Sequence, residues 1–405
     1  MDYNRYCPHR QKTVAVTDNP IMKKYKILIA LSIVNLCLGG IYAWSVFVPE
    51  LVNNYGYTTA RTQIVFGTTV CCLTLSMLFT GILENKIGPR PMVLICSALM
   101  FTGYFTASFS GSNFLILWLG CGVINGIAIG FGYVCMLAVS MRWFESKKGF
   151  ACGMVIAGYG FGAIILSFAA QTLISHGWDV MRIFKILAIA LGMIIFICAL
   201  QIANPASHQK QNMIPTIAYK TIFRKPRFFI LSITVGLGTF SGLMFIGNLK
   251  PIAYYFGYDS FIALLAIWLV SIGNAVGRIM GGVAYDRFKA STLKFILLIV
   301  AVSALFVVMG NISSIVFLIF LIPVGMSYGA LLANIPAQVS EEFGHHNFGI
   351  VYPLVLVVHG LAALFAAPLA GFIYDNYHSY RPAMIIASCI SFACFLGFTF
   401  AYRRQ

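Results

Sequence analysis

The chain is poor in charge and poorest in acid. Only 9% of its 405 residues are Asp, Glu, Lys or Arg, and Asp and Glu together number 11. A water-soluble chain carries roughly a quarter charged residues to hold its hydration shell, so most of this surface does not face water. No nucleophile–base set, phosphate-binding loop or separate soluble domain stands out, which argues against an enzyme. The 11 cysteines show no paired spacing, and Cys71, Cys72, Cys121 and Cys394 fall inside apolar runs. They read as small core side chains, with no disulfide framework, metal or cofactor implied. Glu341, Glu342, His345 and His346 mimic a metal cluster but occupy a short polar stretch and read as solvated. The first 25 residues lack an apolar core before a cleavage site, so no removable signal peptide is expected.

What is abundant is apolar: 60% of the residues are hydrophobic. Charge-poor runs recur at 27–48, 62–83, 91–110, 114–140, 149–174, 186–203, 228–248, 260–285, 295–310, 313–333, 347–373 and 382–402. Most match the length of about 17–25 residues that carries a helix across a bilayer. The expected fold is all-α, a twelve-helix transmembrane bundle.

The net charge of +16 suggests nucleic acid until the charges are placed on that bundle. With both termini on one side, 21 Lys and Arg fall on that side, in the tail, the even-numbered loops and the C-terminus. Only Arg61, Arg182, Lys185, Lys250 and Arg381 fall on the other, and Arg278 lies within a span. This is the positive-inside pattern, which predicts cytoplasmic termini and no nucleic-acid partner.

The sequence also repeats itself. Gly56-Tyr57 returns as Gly257-Tyr258, Gly81 as Gly282, and Asn85-Lys86 as Asp286-Arg287, each 201 positions later. Two pseudo-symmetric six-helix halves in the same orientation follow. The expected division is a tail at 1–25, a first bundle at 26–203, a linker at 204–227 with Pro205, Pro215 and Pro226, and a second bundle at 228–405.

Arg278 is the one formally charged side chain read as lying deep in a span. It stands eight residues from Asp286, roughly 12 Å of helix. Arginine at a helix centre is unfavourable by about 2.5–3.5 kcal/mol, and every carboxylate reads as a tail, loop or span-end residue. An unpaired cation there suits a carboxylate ligand, which accepts two hydrogen bonds from a guanidinium. Asn274, one turn earlier, shares its face. The repeat counterpart of Arg278 is apolar Met77. His359 is an apolar-flanked, titratable residue able to bond structurally or carry a proton. Gly158-Tyr-Gly-Phe-Gly-Ala163 fits a loose dinucleotide fingerprint, but without a preceding strand it reads as helix packing.

Gly81-Ile-Leu-Glu-Asn-Lys-Ile-Gly-Pro-Arg90 resembles the loop that joins the second and third helices in the major facilitator superfamily. Asn85 stands where that motif has Asp, with Glu84 adjacent to substitute for it. The resemblance implies a gating role for Glu84, Asn85, Lys86, Arg90, Asp286 and Arg287. Gly40-Ile-Tyr-Ala-Trp-Ser45, Arg142-Trp-Phe with Lys147-Lys-Gly149, Gly158–Gly162, and Asn274 with Arg278 are similar to the oxalate/formate antiporters and monocarboxylate transporters. That likeness implies a cleft lined by Tyr42, Trp44, Tyr133, Tyr159 and Tyr328, and His359 stands where the oxalate exchanger has lysine. One Arg with one imidazole suits a monoanion. The expectation is a multi-pass plasma (inner) membrane transporter, monomeric, moving a small organic anion with a proton or counter-anion. Alternatives are a dicarboxylate exchanger of the oxalate/formate type, a drug exporter and a non-transporting membrane receptor.

Overall fold

A chain this apolar crosses a membrane as helices because each backbone N–H and C=O then bonds within its own segment. The computed structural model describes residues 20–205, 219–308, 313–344 and 347–402. Most of the expected tail and linker, with His345, His346, Arg403 and Arg404, lies outside the described residues. Twelve helices among the described residues have membrane-spanning length and hydropathy: α1 (Met22–Val46), α2 (Thr59–Ile87), α3 (Pro89–Ala107), α4 (Phe114–Trp143), α5 (Phe150–Ser175) and α6 (Val180–Gln201). The others are α7 (Pro226–Tyr255), α8 (Ser260–Phe288), α9 (Ala290–Val307), α10 (Ser314–Phe343), α11 (Phe348–Tyr377) and α12 (Arg381–Ala401). Among the described residues there is no strand. The largest differences in length fall at the seventh and tenth spans, where α7 runs on to Tyr255 and α10 to Phe343. Lys294 and the Glu341–Glu342 pair end an apolar run but leave helical hydrogen bonding intact, so α9 starts earlier and α10 ends later than hydropathy suggests.

The two halves pack alike. In the first, α1 lies on α5, α2 on α4 and α3 on α6; in the second, α7 lies on α11, α8 on α10 and α9 on α12. They meet along two long seams, α2 with α11 and α5 with α8, which exchange under the same six-helix shift. The repeat has a backbone cause. Gly56 and Gly257 hold φ of 70° and 80° in equivalent turns, where a side chain is strained. Gly88 and Lys289, also 201 apart, both have positive φ, of 87° and 49°.

The bundle has a connector end, where the 204–225 stretch joins the halves, and an opposite end. Polar ties across the seam gather from the midpoint towards the opposite end. Asp375 of α11 accepts from the Thr59 and Ala60 N–H groups at 3.0 and 2.8 Å, capping α2 from the other half. Gln63 Nε2 donates to the Gly247 carbonyl at 2.8 Å, and Trp268 Nε1 to Ser167 Oγ at 3.2 Å. At the connector end the main polar networks stay within one half. Arg142 grips Glu84 with two bonds of 2.5 and 2.8 Å and reaches Asn204 at 3.0 Å. In the second half Tyr285 donates to Gln338 and Glu341 at 2.6 and 2.8 Å, while Glu342 gathers Gln338, Tyr402 and Arg227.

Where α1 meets α5 the backbones almost touch. A Cβ added at Gly162 would lie 2.0 Å from the Leu36 carbonyl oxygen, whereas one at Gly153 would meet nothing within 4 Å. The Gly158–Gly162 run therefore packs helices, as its lack of a strand implies. Gly162→Ala should lower the melting temperature of the solubilised protein by several degrees, from about 1–3 kcal/mol of overpacking. Gly153→Ala in the same thermal scan should not; an equal drop for both would reject close packing as the cause.

Candidate functional site

Seven of the eight residues expected at the cleft converge near mid-membrane. Arg278 on α8 points across the seam while its neighbour Ile279 is 70% exposed on the outward face. Its Nη1 donates to the Tyr133 hydroxyl of α4 at 3.1 Å, and its Nε to Asn274 Oδ1 at 3.2 Å. Both acceptors are neutral. Among the described residues the guanidinium makes no ion pair.

From Tyr133 a row of rings runs back across the seam. Tyr133 meets Tyr159 edge-on at 5.3 Å, and Tyr159 meets Tyr42 at 5.4 Å. Tyr42 meets Tyr328 at 6.1 Å, with the two hydroxyls 3.3 Å apart, and Tyr328 lies 6.1 Å from the His359 ring. The row draws on α4, α5, α1, α10 and α11, so both halves build it. Tyr42 owes its place to local geometry: from Gly39 to Val46, α1 tightens into a 3-10 helix. Tyr42 and Asn274 line a small cavity with Ile246, Leu249, Val270 and Ser271.

His359 is 5% exposed, and its Nδ1 lies 2.7 Å from Thr239 Oγ1. The same hydroxyl donates to the Val235 carbonyl at 2.6 Å. Two short contacts need two protons, and Thr239 has one, given to a carbonyl that can only accept. The imidazole must then carry its proton on Nδ1, and in the neutral ring Nε2 is a free acceptor. Thr239 gives no sequence signal, since a threonine four residues from a helix carbonyl is commonplace.

Trp44 does not join the site. Its Nε1 donates to the Thr62 carbonyl at 3.1 Å, and its ring lines a separate cavity inside the first half with Phe47, Phe66 and Asn125. The two-residue step from Tyr42 along a 3-10 helix turns the indole away from the seam. Of the six expected gating residues only Glu84 is engaged, with Arg142. Asn85, Lys86, Arg90, Asp286 and Arg287 are exposed. Among the described residues the side chains of these five make no hydrogen bond or ion pair. In the second half, Glu341 and Glu342 carry the acidic contacts that Asp286 was expected to make.

Twelve membrane-length helices around a polar, two-sided cleft define a membrane transport protein. The model of the Major Facilitator Superfamily matches residues 29–358, and the chain belongs to that family, whose members are transporters and not enzymes. It is 28% identical to the uncharacterized MFS-type transporter YhjX of Escherichia coli, covering 84% of this chain and 86% of that protein. It is 24% identical to the oxalate:formate antiporter of Oxalobacter formigenes (93% and 91% covered). Identity to monocarboxylate transporter 13 of Rattus norvegicus is 22% (88% and 84% covered). The nucleoside transporter NupG shares the fold, with a TM-score of 0.73 at 15% identity over 93% of this chain and 99% of its own.

Because the Trp44 indole faces Thr62, Trp44→Phe should leave affinity for the transported substrate within about twofold while lowering thermal stability by about 1 kcal/mol, the worth of one buried hydrogen bond. A tenfold loss of affinity with unchanged stability would return the tryptophan to the site.

Proposed function

We propose that the chain is a secondary active transporter of a small monocarboxylate, of the size of formate, pyruvate or lactate, coupled to protons and working by alternating access. The observation that carries this reading is the Arg278 guanidinium, held by two neutral oxygens, one from its own helix and one across the seam, with no acid in contact. Its charge stays unanswered until an anion arrives. A bound carboxylate supplies the missing charge and both acceptor oxygens. It displaces or joins Tyr133 and Asn274, and the loaded site becomes cheaper to close than the empty one.

The names of relatives favour carboxylates of one or two charges, the oxalate:formate antiporter and a monocarboxylate transporter among them. The second charge decides between them. At the far end of the aromatic row stands His359, whose Nδ1 proton is committed to Thr239. One arginine beside a titratable imidazole suits a monoanion better than a dianion, so oxalate exchange is the second reading. The basic asymmetry of the loops supports a plasma (inner) membrane orientation with both termini cytoplasmic. Closure at the opposite end then corresponds to a carrier accessible from the cytoplasm. We take the transporting unit to be one chain, since both walls of the cleft come from it.

Arg278→Gln should abolish uptake of radiolabelled pyruvate, lactate, formate and oxalate into proteoliposomes, and Arg278→Lys should keep a weak residue of it; full activity in the Gln variant refutes the assignment. A pH gradient, acidic outside, should drive net uptake without internal substrate, whereas strict dependence on internal substrate would favour exchange. The proton rides on His359 or on the substrate carboxyl. His359→Gln separates the two: uptake that no longer follows the gradient identifies the imidazole, and unchanged gradient dependence identifies the substrate.

A further inference from the structure

A second buried cation that forms no ion pair lies in the seam, and the scheme above leaves it idle. Lys250 of α7 is 1% exposed. It follows directly on Leu249 and lies one turn beyond Ile246, both of which line the cavity beside Asn274. Its ammonium crosses to the first half, donating to the Val46 carbonyl at 3.0 Å and to Gln171 Oε1 at 2.9 Å. The Tyr254 ring, one turn further along α7, is centred 5.5 Å from Nζ. Among the described residues Lys250 forms no ion pair. Glu50 of the first half is the acid whose charge acts on Lys250, but it forms no ion pair with the ammonium and receives a hydrogen bond from Asn54. The next residue, Pro251, has no N–H for the Gly247 carbonyl, and Gln63 of the first half takes that carbonyl. The helix is thus tied across the seam within one turn of the lysine.

Alternating access requires the halves to part at this end. Both oxygen acceptors of Lys250 belong to the half that moves away. An ammonium without acceptors cannot stay dry, so parting hydrates it, and the motion that opens the mouth exposes a positive charge inside it. Asp375 is uncovered by the same motion, but it lies two residues from the end of α11, whereas Lys250 lies five from the end of α7. The cation is the deeper of the two.

We propose that Lys250 is the anion-receiving station of the opposite mouth: closed, it pins the halves through Val46 and Gln171; open, it takes the incoming carboxylate one turn before the central cavity and Arg278. The pinning stands on geometry alone, and the station rests on the anionic cargo proposed above.

The test compares Lys250→Met, which removes charge and latch, with Gln171→Leu, which removes one latch partner and keeps the charge. Two readouts are needed in oriented proteoliposomes. Maleimide labelling of a cysteine at Leu249, in a cysteine-free background, reports opening of the mouth without reference to cargo. The KM for pyruvate, lactate, formate and oxalate, presented to each end in turn, reports the station. Labelling should rise several-fold in both variants as the closed population falls. Only Lys250→Met should raise the KM at the opposite end, by about tenfold or more, the scale of lost charge focusing. Its KM at the connector end should stay within about twofold of the wild-type value by the same principle, and Lys250→Arg should restore the opposite-end value. Unchanged labelling in both variants overturns the latch. A KM loss equal at both ends in Lys250→Met, or shared by Gln171→Leu, overturns the station. A wild-type protein that takes no carboxylate from either end overturns the cargo reading and the station with it, while the labelling still decides the latch.

Discussion

A guanidinium in the low-dielectric middle of a helix bundle needs partners, and the choice of partner decides what the bundle can do. An acid would have made Arg278 a structural ion pair, satisfied once and closed to cargo. The chain supplies an amide oxygen from the same helix and a phenol from the other half. The donors are bonded but the charge is not balanced. The rest of the cleft is arranged around that imbalance: a row of rings runs from Tyr133 to Tyr328, and His359 stands at its far end.

The scaffold is two-fold and the chemistry is one-sided. Helix pairs recur after a shift of six, and the seams α2–α11 and α5–α8 map onto each other. The charged residue does not recur, since Met77 occupies the position equivalent to Arg278. Symmetry gives two matching walls about a central site, and its local failure leaves one unbalanced positive charge there. The ends differ in the same spirit. At the connector end the buried Glu84–Arg142 pair braces its own half, and Glu84 takes the place that the family motif gives to the residue now occupied by Asn85. At the opposite end the ties run between halves, through Asp375, Gln63 and Lys250.

Much of this was legible in one dimension because a bilayer imposes one-dimensional rules. Length and hydropathy gave twelve spans, loop charge gave an orientation to expect, and an offset of 201 gave two halves. Arg278 announced itself by being charged where charge is costly, and Asn274 by standing four residues away on the same helical face. The tyrosines came through resemblance, and their mutual contacts bear on why such positions are aromatic: each ring packs on the next across helices that sequence does not connect.

Other residues were decided by tertiary structure alone. Trp44 looks equivalent to Tyr42 in sequence, yet 3-10 winding turns the two to different sides of α1. Lys250 reads as a span-end lysine facing water and is instead sealed in the seam, because its acceptors come from α1 and α5. Thr239 has no signal until His359 is found against it. The sequence by itself determined how often the chain crosses the membrane, that it is built twice, and that one cation is stranded inside, since burial costs and helical periods are properties of single segments. Which side chains share a cleft, which tautomer a histidine holds and where a mouth is latched depend on contacts between segments, and only the packed bundle decides those.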